Sequence, residues 1–153
     1  MSFILSAERD ADPKGSWERY DAYLKENRHR FPKGACELID SDWYFTFANR
    51  APHDAWLESV TVSEPEMVAE DRWVSIRICL QAAYGDGHIE FFYPKVSRYT
   101  LNMGETSRGH GDWRYDEFRV SDGGKLVHEI DWWGQSMGNW LIEADDVKYS
   151  WHP

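Results

Sequence analysis

Trp73-Val74-Ser75-Ile76-Arg77-Ile78-Cys79-Leu80-Gln81-Ala82-Ala83-Tyr84-Gly85-Asp86-Gly87-His88-Ile89-Glu90-Phe91-Phe92-Tyr93 is the stretch that decides the fold. Val74, Ile76, Ile78, Leu80, Ala82 and Tyr84 alternate with Trp73, Ser75, Arg77, Cys79, Gln81 and Ala83. A period of two gives a strand one apolar face and one mixed face. Asp86-Gly87 suits a type I′ turn, whose two central residues take positive φ. A turn there pairs Tyr84 with Ile89, Ala82 with Phe91 and Leu80 with Tyr93. All six are apolar or aromatic on one face, so the register is self-consistent. The reading is an antiparallel sheet with one covered face.

Working outward, a second hairpin follows. Trp113–Val120 and Lys125–Trp132 flank Ser121-Asp122-Gly123-Gly124. A turn centred on Asp122-Gly123 pairs Arg114 with Asp131, Glu117 with His128, Tyr115 with Ile130 and Trp113 with Trp132. Centring it on Gly123-Gly124 would set Asp116 against Asp131 and Phe118 against Glu129, a poorer charge match. Trp43–Phe47 and Ala55–Val62 read as strands before the decisive hairpin. Trp140–Glu143 and Val147–Trp151 read as strands after it. On the N-terminal side, Asp12 can cap a helix that has Pro13 at its first position. Trp17, Tyr20, Leu24 and Phe31 form its apolar stripe, and Pro32 stops it. Lys25, Arg28, His29, Arg30 and Lys33 crowd its end, where a helix C-terminus favours cations without any phosphate. The expected fold is α+β: an N-terminal amphipathic helix packed on a meandering antiparallel β-sheet, curved into a half-barrel or sandwich.

Composition bounds the function. The chain has 153 residues, with 42% apolar and 16% aromatic, so it can build a core and reads as one domain, 1–153. Net charge is −10, and −9 of it lies in residues 51–153. That argues against nucleic acid or an anionic membrane surface as partner. Cys36 and Cys79 are far apart and in no CxxC pattern, so reduced thiols in a cytoplasmic protein are expected. The N-terminus lacks a signal-peptide apolar run, and no stretch has the length of a membrane span.

Four features carry candidate chemistry. Gly134-Gln135-Ser136-Met137-Gly138 matches GxSxG, and Asp145 or Asp146 and then His152 follow in hydrolase order. That motif needs a strand-to-helix elbow early in a large parallel sheet. Here the remaining residues read as strand, so a Gly-rich connector is expected. Glu117 opposite His128, with His53-Asp54 at the start of another strand, could do acid–base work. Asp116 and Glu129 would lie on the reverse face. No HExxH, zinc spacing or EF-hand loop is present, so neither a metal nor a cofactor is expected. Gly85-Asp86-Gly87 lacks the rest of a phosphate-cradling loop.

The third feature is aromatic. Trp113, Trp132, Trp133, Trp140 and Trp151 fall within the last 41 residues. Adjacent Trp132 and Trp133 cannot both face inward on a regular strand, so at least one is a candidate for a groove or an interface. The fourth is the acid itself. Glu64, Glu66, Glu70 and Asp71 occur with no basic residue before Arg72, and residues 112–146 hold nine acids against three bases. Charge runs are usually solvated faces. Beside spare tryptophans, they also suit a cationic protein partner.

Pro52-His53-Asp54-Ala55-Trp56, Tyr115-Asp116-Glu117-Phe118 and His128-Glu129-Ile130-Asp131-Trp132 resemble segments of uncharacterised small bacterial domains. In general character the chain resembles immunity proteins of polymorphic toxin systems: small, acidic, aromatic-rich and without a catalytic signature. The resemblance implies a cytosolic protein that masks a basic partner, and it carries over no functional residue. The expected binding residues are then Trp132, Trp133, Glu64, Glu66, Glu70 and Asp71. Two alternatives stand beside it. One is a small-ligand or carbohydrate-binding sheet domain with a tryptophan platform. The other is an enzyme using Glu117 and His128, with His53.

Overall fold

The structure, a computed structural model, describes residues 2–5, 7–65, 72–134 and 137–153. Among these, helices α1 (Ala7–Ala11), α2 (Pro13–Asn27) and α3 (Lys33–Ile39) precede eight strands. The strands are β1 (Trp56–Ser63), β2 (Val74–Gln81), β3 (His88–Val96), β4 (Arg98–Leu101), β5 (Asp112–Val120), β6 (Leu126–Trp133), β7 (Asn139–Ala144) and β8 (Lys148–His152). They form one antiparallel sheet in the order β4-β7-β6-β5-β1-β2-β3-β8. The α+β class and the antiparallel sheet agree with the sequence reading. No described helix is long and apolar enough to cross a membrane.

Local chemistry explains the helices. The Asp12 carboxylate accepts from the Gly15 N–H at 3.1 Å, and Pro13 opens α2. Tyr20 and Leu24 are buried against the sheet. Phe31 is buried too, but it lies beyond the end of α2. Pro32 caps α3 instead of only ending α2, a helix that periodicity did not reveal. The Asp146 carboxylate, remote in sequence, accepts from the Gly34 and Ala35 N–H groups at the start of α3. Arg28 pairs with Asp40, so part of the basic cluster is held in local contacts.

Two registers differ from expectation. In the first hairpin Leu80 faces Ile89, Ile78 faces Phe91 and Ile76 faces Tyr93. The loop spans Ala82 to Gly87, where Ala82 N–H donates to the Gly87 carbonyl at 2.9 Å. The slip from the expected pairing is even, so the strand residues keep their faces; Tyr84, expected on the covered face, falls in the loop instead and is exposed. Ile76, Ile78, Leu80, Ile89, Phe91 and Tyr93 are all fully buried.

In the second hairpin Phe118 faces His128, Glu117 faces Glu129 and Asp116 faces Ile130. A bulge at Arg114 then restores the expected Trp113–Trp132 pair. This slip is odd, and an odd slip exchanges faces. Glu117 and His128 therefore do not meet.

Trp43–Phe47 is not a strand but a series of turns. Ser41 and Thr46 hydroxyls bond local backbone: Ser41 Oγ accepts from Tyr44 N–H, and Thr46 Oγ1 donates to the Trp43 carbonyl. Such side-chain bonds compete with sheet pairing and override the β propensity of an aromatic run.

The seam between β1 and β5 is short. It consists of the Trp56–Asp112 pair and two bonds, Asp54 N–H to the Trp113 carbonyl and Trp113 N–H to the Ala55 carbonyl. The chain before Asp54 does not continue this pairing along β5. The backbone that β5 leaves open is met by α2. The Tyr20 hydroxyl accepts from Phe118 N–H at 2.6 Å and donates to the Phe118 carbonyl at 3.1 Å. The Tyr23 hydroxyl accepts from Val120 N–H at 2.9 Å. Two tyrosines thus satisfy a strand edge that would otherwise template another chain.

Candidate functional site

The odd register brings together a set that the sequence reading split. His128 is completely buried under Phe91, Phe118, Tyr93 and Trp113 rings. Its Nε2 lies 2.7 Å from Asp116 Oδ2, and its Nδ1 lies 2.7 Å from the Tyr93 hydroxyl. The Tyr44 hydroxyl donates to Asp116 Oδ2 at 2.6 Å, and Trp113 Nε1 donates to Oδ1 at 3.1 Å. Nε2 is placed to donate to the carboxylate and Nδ1 to accept from the Tyr93 hydroxyl. Burial, followed by the Asp116 charge, pushes the Tyr44 and Tyr93 hydroxyls far above the ordinary tyrosine range. They stay protonated and act as donors. The Asp116–His128 pair has the chemistry of an acid–base dyad, but substrate cannot reach the enclosed imidazole.

Glu117 is also fully buried, on the opposite face of β5. It accepts from Phe3 N–H at 3.0 Å and Ile4 N–H at 2.9 Å and pairs with Arg119, which also bridges to Glu129. Burial nonetheless raises the Glu117 carboxyl above its usual range, against those bonds. Its place is structural: it fastens residues 3 and 4 onto the sheet.

A cavity of about 270 Å³ opens between residues 114–116 of β5 and the turns that precede β1. Trp17, Tyr44, Phe45, Phe47, Pro52 and Tyr115 supply its walls, with His53, Arg114 and Asp116 as its charged or titratable members. Asp54, in the left-handed region at φ 65°, holds the Arg114 guanidinium at 3.4 Å. Its other oxygen lies 3.2 Å from His53 Nδ1. That contact does not have hydrogen-bond geometry, so among the described residues this buried nitrogen has no hydrogen-bond partner. Around the mouth, Phe47 packs edge-on against His53, Tyr84 donates to the Phe47 carbonyl, and Arg114 sits over both Tyr115 and Trp133.

The tryptophan pair separates as alternation requires. Trp132 is buried, and as a binding platform it is withdrawn, because its ring packs on Trp113 and Trp140. Trp133 is 52% exposed. Phe47, Trp56 and Tyr84 are more exposed still, although the sequence places Tyr84 on the covered face and Phe47 and Trp56 within strands. Glu64 is exposed and pairs with Arg72 at 3.2 Å. Glu66, Glu70, Asp71 and Ser136 lie outside the described residues. Asp145 pairs with Lys125, Asp146 caps α3 and His152 is exposed at the end of β8, so these three do not converge. Cys36 and Cys79 form no disulfide. Among the described residues no cluster of three or more His, Cys, Asp or Glu could hold a metal ion.

The chain matches no protein-family model, and no curated protein or solved structure matches it.

Proposed function

We propose that this chain is a non-enzymatic binding protein that masks a basic protein partner in the cytosol, as immunity proteins do. The observation that carries the reading is the exposure of Phe47, Trp56, Tyr84 and Trp133 on a chain of net charge −10. Large aromatic side chains dominate binding hot spots, and surplus acid steers a cationic partner into contact. The buried Asp116–His128 pair then serves the core and not turnover. We also read the sheet as a half-barrel. β3 and β4 are separated only by Ser97 yet sit near opposite ends of the strand order, which a curled sheet permits.

The test is capture of partners from the native host lysate by the immobilised protein, followed by association kinetics at low and high salt. A basic partner whose on-rate falls with salt and whose capture is lost on Trp133→Ala supports the reading. An acidic partner, or a rate flat with salt, refutes it. In that case a small-ligand or carbohydrate-binding domain takes its place, favoured by the aromatic-walled cavity beside β5.

A further inference from the structure

We infer that the cavity between residues 114–116 of β5 and the turns before β1 is a cation site, which receives the ammonium or guanidinium end of a lysine or arginine side chain from the basic partner. The identity of the occupant rests on the masking reading; the chemistry of the cavity does not.

The argument starts from its floor. Asp116 is 6% exposed and lines the cavity. Among the described residues, Tyr44, His128 and Trp113 direct donors at it, two to Oδ2 and one to Oδ1. A carboxylate offers about four lone-pair sites, so Oδ1 can take one more donor. Burying a carboxylate is costly unless its charge is answered. None of the three donors is an ammonium or guanidinium group, so this donor set leaves room for a strong cation at the carboxylate.

The walls have matching character. Trp17, Phe45 and Phe47 offer aromatic surface, which attracts cations through the ring quadrupole and accepts an aliphatic stem, whereas the Tyr115 ring already carries the Arg9 guanidinium 4.1 Å from its centre. The other charges nearby are paired, Arg114 with Asp54, and Arg9, which lies over the Tyr115 ring, with Asp10. An anion would meet Asp116 with little water between them. Size agrees as well: about 270 Å³ falls just under the roughly 300–1,000 Å³ of clefts that take drug-sized ligands, and suits one side chain. The mouth lies beside the exposed rings of Phe47 and Tyr84, so an inserted cation would sit within the proposed interface.

The test is a ¹⁵N–¹H NMR titration of the whole protein with n-butylammonium and n-butylguanidinium, using 1-butanol and butyrate as shape controls. The cations should move amide signals of residues 44–47, 53 and 114–116. Butanol should bind at least tenfold more weakly, and butyrate should leave those signals in place. Phe47→Ala, at a side chain that is 70% exposed and so tolerant of change, should weaken cation binding about two- to fivefold. Arg114→Gln removes a competing like charge and should tighten it severalfold. Butyrate binding that Arg114→Gln abolishes would overturn the inference, as would equal affinity for butanol and the cations or no response at these residues. If these probes fail while a basic partner is still captured in a salt-dependent way, the masking reading stands alone. If the probes bind but the captured partner is acidic, the cation site stands and the masking reading falls.

Discussion

Asp116 Oδ2 lies 2.7 Å from His128 Nε2, on the inner face of the hairpin formed by β5 and β6. The pair exists because Phe118 faces His128 across the hairpin and Asp116, two residues away, shares its face; the bulge at Arg114 brings Trp113 to the same side. Removing the imidazole would leave a buried carboxylate short of one donor and open a void among four aromatic rings. His128→Ala should therefore destabilise the protein by about 3–5 kcal/mol, as when one partner of a buried pair is lost. Urea unfolding would measure it. A loss below about 1 kcal/mol, on the scale of an ordinary hydrogen bond, would mean that Asp116 does not depend on this partner.

Tyr20 links α2 to the β5 backbone through two bonds from one hydroxyl. Tyr20→Phe keeps the ring and its packing but strands a buried N–H and a buried carbonyl. The expected cost is about 1–3 kcal/mol, the desolvation penalty of unsatisfied buried groups. Amide exchange at Phe118 should accelerate in the same variant. Unchanged stability together with unchanged exchange would contradict the role assigned to α2 as cover for that edge.

How much of this was legible in the sequence depends on parity. The first hairpin tolerated a wrong turn because its slip was even: Ile76, Ile78 and Leu80 remain core whichever loop length is chosen. Ile76→Ala should accordingly cost about 2–5 kcal/mol. The second hairpin had no such tolerance. A five-residue loop and a bulge at Arg114 leave no mark in the alternation of Trp113 to Val120. Asp116 therefore read as outward-facing, and Glu117 read as the partner of His128. Trp43–Phe47 has the composition of a strand, but its hydroxyl bonds, with a backbone bond from Thr46 N–H to the Trp43 carbonyl, bend it into turns. Because those turns form one wall of the cavity, the site was invisible in the sequence even though His53 had been named. Phe47, Trp56 and Tyr84 were hidden for a related reason, since an aromatic residue in sheet-like sequence reads as interior.

Asp131 gives a pH dependence with a definite sign. Burial raises its carboxyl above the ordinary value of 3.8, the Asn139 amide opposes this, and the Glu129 charge adds to it. Between the ordinary and the raised value the folded state holds more proton than the unfolded chain. Stability attributable to Asp131 must then fall as pH rises through that window. Asp131→Asn keeps an acceptor for Asn139 and removes the titration. The stability difference between wild type and Asp131→Asn should shift in favour of the variant as pH rises from about 4 to neutrality. Urea unfolding at several pH values reads this directly. A difference that is constant with pH, or that moves the other way, rules it out.

Trp132 and Trp133 are neighbours in β6 whose roles should separate cleanly. Trp132 is 2% exposed and packs against Trp113 and Trp140, so Trp132→Ala removes core volume. A loss of about 3–5 kcal/mol is expected for a truncation of that kind. Trp133 is half in water, with the Arg114 guanidinium 5.7 Å from its ring centre. Truncating it leaves no cavity and should change stability by less than about 1 kcal/mol, the size of an exposed cation–π contact. Acrylamide should quench the Trp133 contribution to fluorescence and leave that of Trp132 largely intact. In complex with a basic partner the order of importance reverses. Trp133→Ala should shorten the lifetime of the complex, because a central aromatic acts on the off-rate. Charge reversal at exposed Glu64 should instead slow association at low salt and have little effect at high salt. If Trp133→Ala unfolds the protein, or leaves the off-rate of a captured basic partner unchanged, Trp133 is not the anchor of that surface.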